Sequence, residues 1–324
     1  MHLGPDGSGP SLLHPVRQIQ FTEPTMTLNT IEDIILDRDK RGVAPLRAHL
    51  PNGYTEEAAK LILDHPGTAV IVTGFYILTA QAPETDGPPG AIAIGNALQS
   101  LGYKVVYVTD KHSHALMTGL LGKKAEVIEF PIAGHEESKK FAAKVVKDLK
   151  PSILISIERC GLTKDGVFLN MRGRDISEFN AKIDYLFSDF PHSVGIGDGG
   201  NEIGMGNLAK EIPGYPFMPS SPCVTKVSKL IVTSVSNWGG YGLVTAISRL
   251  KKKNLLISLK DEEDLVKKCV ELGAVDGPGA TRVNQVDGFT LEENSLTVKR
   301  LHELLTKEGI RYSGHGSIRR LRRF

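Results

Sequence analysis

The stretch "TAVIVTGF" at residues 68–75 is followed, one loop later, by "AIAIGNALQSLGYKVVYVTD" at residues 91–110. The first run is apolar and rich in β-branched residues, with Pro66 and Gly67 before it and Gly74 near its end. That is the pattern of a short strand buried on both faces. The second run opens as an apolar helix that Gly102 stops, then becomes a new β-branched strand over 104–109. Strand, helix and strand in this order make a βαβ unit, whose two strands run parallel.

The same alternation extends both ways. Upstream, "LNTIEDIILDRDKRG" (28–42) has an Asn–Thr start signal, apolar residues at helical spacing and a closing Gly42, and predicts the first helix. "TEEAAKLILDHPG" predicts a second. Downstream come a helix near 114–122, a strand in "AEVIEFP", a helix over 136–149 and a strand in "SILISIE". "KIDYLFSDF" and "SVGIGDGG" continue the pattern, "KLIVTSVS" gives another strand, and "YGLVTAISRLK" and "SLKDEEDLVKKCVELG" give two more helices. Beyond Gly273 the periodicity weakens in "GAVDGPGATRVNQVDGF", with its two Asp–Gly turns. The expected fold is α/β, a doubly wound, mostly parallel sheet with helices on both faces, Rossmann-like. No internal repeat or linker interrupts it, so residues 27–312 are expected to form one domain, between a Gly/Pro/Ser-rich leader (1–26) and a basic tail (313–324).

Composition narrows the function classes. Of 324 residues, 40% are hydrophobic, enough for a full core, and 39 Lys and Arg balance 37 Asp and Glu. Near-neutral charge gives no general attraction to nucleic acid or to membrane surfaces, and the arginine-rich end "RRLRRF" lacks the interleaved aromatics of a nucleic-acid binder. No apolar run has the length of a spanning helix, and no secretory or other targeting peptide is visible at the start. Cys160, Cys223 and Cys269 are odd in number and form no CxxC pair, which fits a reducing compartment.

The chemistry-bearing residues cluster behind strands. "ETDGPPG" follows 70–73, "ERCG" follows 153–157, and "GDGGNEIGMG" follows 194–196. Loops after parallel strands share one edge of the sheet, so Glu84, Asp86, Glu158, Asp198 and Glu202 are expected to converge there. Crowded carboxylates raise one another's pKa unless a cation or shared proton relieves them. With no His or Cys at zinc spacing, hard oxygen ligands favour Mg²⁺ or Mn²⁺. The alternative role for such acids, and for Asn201, is helix capping. The glycine-rich segment is a poor dinucleotide fingerprint, because Glu202 stands where the third glycine belongs and a carboxylate there repels a pyrophosphate. No Walker pattern or nucleophile elbow appears, and neither NAD nor PLP is expected. "RCGLTKDGVFLNMRGRDIS" carries Asn170, Arg172 and Arg174 on a candidate hairpin, and either arginine could grip a substrate carboxylate in a bidentate pair or serve as a surface ion-pair partner. "SNWGGYG", with Asn237 and the only Trp, suits a site wall or ordinary packing.

"TGF", "ETDGPPGA", "ERCG", "NMRG", "GIGDGGNEIGMGN" and "SNWGGYG", in this order over about residues 28–288, resemble the C-terminal domain of the D-glutamate cyclase family. The resemblance implies a hydro-lyase that converts D-glutamate to 5-oxo-D-proline and water. It implies a divalent cation held by Glu158, Asp198, Asn201 and Glu202, acting as Lewis acid on the γ-carboxyl. Glu158, Asp198 and Glu202 become the expected catalytic residues, with Glu202 moving a proton from the ammonium to the leaving oxygen. Thr73, Gly74, Glu84, Thr85, Asp86, Asn170, Arg172 and Asn237 become the expected substrate-binding residues, Arg172 at the α-carboxylate. In that family the longer animal proteins carry a further upstream domain and are mitochondrial, which implies the mitochondrial matrix, while related microbial proteins can consist of this domain alone. A homo-oligomer is compatible with the sequence. Two other readings use the same loops: a non-catalytic module binding an amino acid or acidic metabolite, and a metal-dependent enzyme acting on a phosphorylated small molecule.

Overall fold

Six strands build the central sheet: β1 (Thr68–Thr73), β2 (Lys104–Asp110), β3 (Glu126–Phe130), β4 (Ile153–Ile157), β5 (Ser193–Gly197) and β6 (Lys229–Val232). Every pairing is parallel, and the spatial order is β3-β2-β1-β4-β5-β6. The structure is a computed structural model that describes residues 30–122 and 125–312. The expected leader (1–26), the first residues of the expected domain and the basic tail (313–324) lie outside the described residues.

β1 shows why the sheet reads as a continuous apolar run. Ala69 and Ile71 enter one core, while Val70 and Val72 enter the other. From Ala69 to Thr73 every position is buried, so no polar alternation is written into the strand. Helices α1 (Ile31–Ile35), α2 (Tyr54–Asp64), α3 (Pro88–Ser100) and α4 (Lys111–Leu121) contribute to the first core, as do α6 (Ser236–Lys251), α7 (Leu259–Glu271) and α8 (Leu291–Lys307). The opposite face is closed by α5 (His135–Leu149) and by a 3₁₀ turn at Ile183–Leu186. The fold is therefore doubly wound α/β, as expected.

Four local expectations are corrected. The first helix ends at Ile35 instead of running to Gly42, because Arg38, Lys40 and Arg41 leave the helical path to meet long-range partners. "KIDYLFSDF" is a 3₁₀ turn rather than a regular element. α6 begins at Ser236, so "SNWGGYG" is its first two turns. The weakly patterned end contains α8, opened by a capping box between Thr290 and Glu293.

The order of the strands positions the site. After β1 the chain moves outward through β2 and β3, then returns to β4 on the other side of β1. The loops leaving β1 and β4 diverge, and a crevice opens at this switch point beyond the carboxyl ends of the strands.

Candidate functional site

Three loops and one helix terminus meet in the crevice. Ser236, first residue of α6, is their common partner. Its N–H is shared by Asp86 Oδ2 at 2.9 Å and Asp198 Oδ2 at 3.0 Å, and its hydroxyl donates to Glu158 Oε2 at 2.6 Å. Asp86 comes from the loop after β1, Glu158 opens the loop after β4 and Asp198 the loop after β5, so Ser236 reads all three. A helix N-terminus carries partial positive charge, which suits the carboxylates gathered on it. Asp86 Oδ1 also accepts from the Asn237 N–H at 2.8 Å, so Asp86 caps α6. Asn237 in turn caps α3, its Oδ1 accepting from the N–H groups of Gly87 and Gly90 at 3.0 and 2.8 Å, while its amide donates to Thr85 O. Trp238 is buried packing, with its indole N–H on Asn294.

The glycine-rich loop after β5 folds onto its own glutamate. Glu202 Oε1 accepts from the N–H groups of Asp198 at 3.0 Å and Gly199 at 2.5 Å. These are the donors a phosphate would need, and they are already engaged. A Cβ on Gly199 would stand 3.0 Å from Glu202 Oε1 and 2.8 Å from Met171 Sδ, so bare backbone is required for this closure. Glu202 Oε2 is buried without a hydrogen-bond partner. Glu158 has φ of 44°, a left-handed backbone that costs a non-glycine residue about 1–3 kcal/mol. That strain turns its carboxyl from the sheet edge into the crevice.

Arg41 supplies the positive charge that sequence reasoning missed. Its guanidinium pairs with Asp198 Oδ1 and, at 2.5 Å, with Asp287 Oδ1. Burial opposes its charge, but Asp198 and Asp287 outweigh that and raise its pKa. The acids remain in excess. Burial, then Glu202, Glu84 and Asp86, push Glu158 well above the usual carboxylate range. Burial pushes Asp198 up against the opposing pull of Arg41. Glu84 rises by burial and by the charges of Asp287 and Asp86, and Asp86 is pushed up to about 7 chiefly by burial. Burial and mutual repulsion thus favour the protonated form of these carboxyls.

Two trios of carboxylates have oxygens mutually within 4.8 Å: Glu158, Asp198 and Glu202, and Asp86, Asp198 and Asp287. The first holds three of the four expected metal residues; the fourth, Asn201, donates its amide N–H to Leu169 O at 3.0 Å. The donors are all hard oxygens, and the unpartnered Glu202 Oε2 gives the first trio a free ligand atom. The acidic cluster can therefore hold a metal ion. In the second trio the Arg41 guanidinium already bridges Asp198 and Asp287.

A cavity of about 670 Å³ opens beside the cluster. Glu84, Glu158, Asn170, Arg172 and Asn201 among the expected residues line it, together with Lys40, Arg41, Arg174 and Asp287. Asp86, Asp198, Glu202, Thr73, Gly74, Thr85 and Asn237 are buried behind it. Asn170 Oδ1 accepts from the backbone N–H groups of Arg172 and Arg174, both at 3.0 Å, and so shapes the turn that presents both arginines. Gly74 has φ of 108°, and a Cβ there would lie 2.5 Å from Ser113 Oγ. Its carbonyl is held by Arg159, which is buried and paired with Asp110 at 2.6 Å.

Residues 31–302 match the family model described as D-glutamate cyclase-like, C-terminal. The human protein named "D-glutamate cyclase, mitochondrial" is 32% identical over 208 residues, which cover 58% of this chain and 34% of that protein. The chain thus matches about a third of that relative's length. A crystal structure of an exopolyphosphatase-related protein from Bacteroides fragilis aligns over 80% of this chain and 58% of that one at 12% identity, with a TM-score of 0.38. That likeness is too slight to bear on activity. The family match spans most of the sheet and every loop of the crevice, and on that ground the chain belongs to the D-glutamate cyclase-like, C-terminal family.

Proposed function

We propose that this chain is a hydro-lyase that closes D-glutamate to 5-oxo-D-proline and water. The observation that carries the reading is the pairing, in one cavity, of cationic Lys40, Arg41, Arg172 and Arg174 with the buried acids Glu84 and Glu158. Family membership supports the same reading.

The chemistry sets a demand that this cavity suits. The α-nitrogen forms a bond to the γ-carbon, and a γ-carboxyl oxygen leaves as water. Both protons that the ammonium loses end on that oxygen, so the site must carry two protons over a short distance. Glu84 and Glu158 lie within hydrogen-bonding reach of each other. A carboxyl pair that shares a proton can give one to the γ-carboxyl and take one from the nitrogen. Arg172 pairs with the α-carboxylate, which leaves the amine facing inward. Holding the substrate folded turns a rare conformer into the reactive one.

Glu158, Asp198 and Glu202 are the residues that would hold Mg²⁺ or Mn²⁺. When bound, such an ion supplies Lewis-acid polarisation of a carboxyl oxygen. The mitochondrial relative supports a mitochondrial matrix location.

The test is direct. Purified chain is incubated with D-glutamate, with and without Mg²⁺ or Mn²⁺, and 5-oxoproline is followed by chromatography. Product is expected, and about a hundredfold or greater loss of kcat is expected in Glu158→Gln. Binding of D-glutamate without any product would replace the cyclase reading with that of a binding module.

A further inference from the structure

We propose that the same cavity accepts glutamate extended at its γ-carboxyl, and that the chain also cyclises γ-D-glutamyl amides, releasing the amine. This rests on the cyclase reading and names a wider substrate class for it.

Three observations converge. The first is size. At about 30 Å³ of liquid per water, a cavity of about 670 Å³ has room for roughly twenty waters, whereas glutamate has only about ten non-hydrogen atoms. A substrate buried in a well-matched site fills most of it. The second is the wall beside the acids. Residues Phe75, Tyr76, Ile77 and Leu78 line the cavity, and Phe75, Ile77 and Leu78 belong to one apolar cluster. Nothing in free glutamate, which is charged at both ends, calls for such a surface. The third is charge at the mouth. Arg172 and Arg174 are both exposed, both line the cavity, and neither forms an ion pair among the described residues. One α-carboxylate satisfies one guanidinium. The other is free for an anion further along the substrate.

An amide leaving group carrying an apolar body and a distal carboxylate meets all three. The reaction is the same ring closure. The α-nitrogen bonds to the γ-carbon, and the bond from that carbon to the amide nitrogen breaks. Of the two protons lost by the ammonium, one goes to the departing nitrogen. The other goes to solvent when the amine is an aniline, or stays on the amine when it is basic. No oxidant, reductant or second substrate is needed.

The experiment uses two chromogenic probes, γ-D-glutamyl-4-nitroanilide and γ-D-glutamyl-3-carboxy-4-nitroanilide, beside D-glutamate. Nitroaniline is read by absorbance and 5-oxoproline by chromatography. Equal molar release of nitroaniline and 5-oxoproline, above the uncatalysed rate, is expected from both anilides. The carboxylated probe is expected to have the higher kcat/KM, and Arg174→Ala should erase roughly threefold of that preference, the scale of one exposed ion pair. Leu78→Trp fills the apolar wall and should lower the ratio of anilide to D-glutamate kcat/KM by about tenfold. Product from D-glutamate with no nitroaniline from either probe overturns this proposal and leaves the cyclase reading standing. Nitroaniline release with no product from D-glutamate keeps the proposal and removes free D-glutamate as the substrate. No product from any of the three overturns both. The wild-type comparison alone decides between these outcomes, so a misfolded Leu78→Trp protein leaves them unchanged.

Discussion

Asp86 and Asn237 cap each other's helices: Asp86 Oδ1 accepts the Asn237 N–H at 2.8 Å at the start of α6, while Asn237 Oδ1 accepts two N–H groups at the start of α3. All of these groups are buried. Asn237→Leu removes the acceptor and strands the N–H of Gly90, while the Gly87 N–H keeps Asp86 Oδ1 at 3.0 Å. The expected cost is about 1–3 kcal/mol for that one stranded donor, read from urea denaturation midpoints. An unchanged midpoint would show that the two caps are not coupled to global stability.

Arg41 is the only cation bridging Asp198 and Asp287 among the described residues. Arg41→Met should destabilise the chain by about 3–5 kcal/mol at pH 8, since removing one partner leaves two buried carboxylates uncompensated. At pH 5, where Asp198, raised by burial, takes up a proton more readily, the loss should be smaller. A pH-independent loss in paired melting curves would point to packing rather than charge.

The acids predict a pH profile with a definite sign. Asp86 is held at about 7 in the folded chain, chiefly by burial and then by Asp287, and Glu84, Glu158 and Asp198 are raised as well. A carboxyl whose folded pKa exceeds its unfolded value binds its proton more tightly in the fold. Its stabilisation is complete below about pH 4, the unfolded Asp value, and is lost as pH rises through about 7. Melting temperature should therefore fall from pH 5 to pH 8, and Asp86→Asn should flatten that slope. A profile identical in the variant would assign the slope to other groups.

A divalent cation relieves the same repulsion that protons relieve. At pH 8, Mg²⁺ or Mn²⁺ should raise the melting temperature over an EDTA control, and Glu202→Gln should lose the shift. Stabilisation that persists undiminished in Glu202→Gln would place the ion elsewhere.

Gly87→Ala tests how tightly the β1 loop leans on Glu158. Gly87 has φ of 96°, and a Cβ there would lie 2.7 Å from Thr73 Oγ1 and 2.8 Å from Glu158 Cβ. Substitution should cost more than 1–3 kcal/mol of backbone strain alone, about 3 kcal/mol or above, and should depress turnover by displacing Glu158. Wild-type stability and rate would mean that the loop yields freely.

Much of the site was legible because it obeys local rules. β1, β2, β4 and β5 announce themselves by composition, and the acids Glu84, Glu158 and Asp198 follow directly from strand ends, where parallel-sheet topology must bring them together. Arg41 carried no such signal. It lies 157 residues from Asp198 and 246 from Asp287, in a segment whose helical spacing reads as continuing past Ile35. Asp287 was hidden by its own turn chemistry, since Asp–Gly reads as a hairpin corner and Asp287 does take φ of 53°. α8 was legible in principle: Thr290 and Glu293 form a capping box, and Val298, Leu301 and Leu305 are buried at helical spacing. The preceding run of turns obscured it.

One N–H of Ser236 is divided between Asp86 and Asp198, and its hydroxyl is given to Glu158. Only residues 233–235 separate this serine from the end of β6. A connector that short is a ruler. Replacing its side chains changes packing, whereas adding or deleting a single residue rotates the first turn of α6 by about 100° and takes the shared donor away from all three acids at once. Insertion scanning should find these three positions intolerant of any change in length, even where single substitutions are accepted.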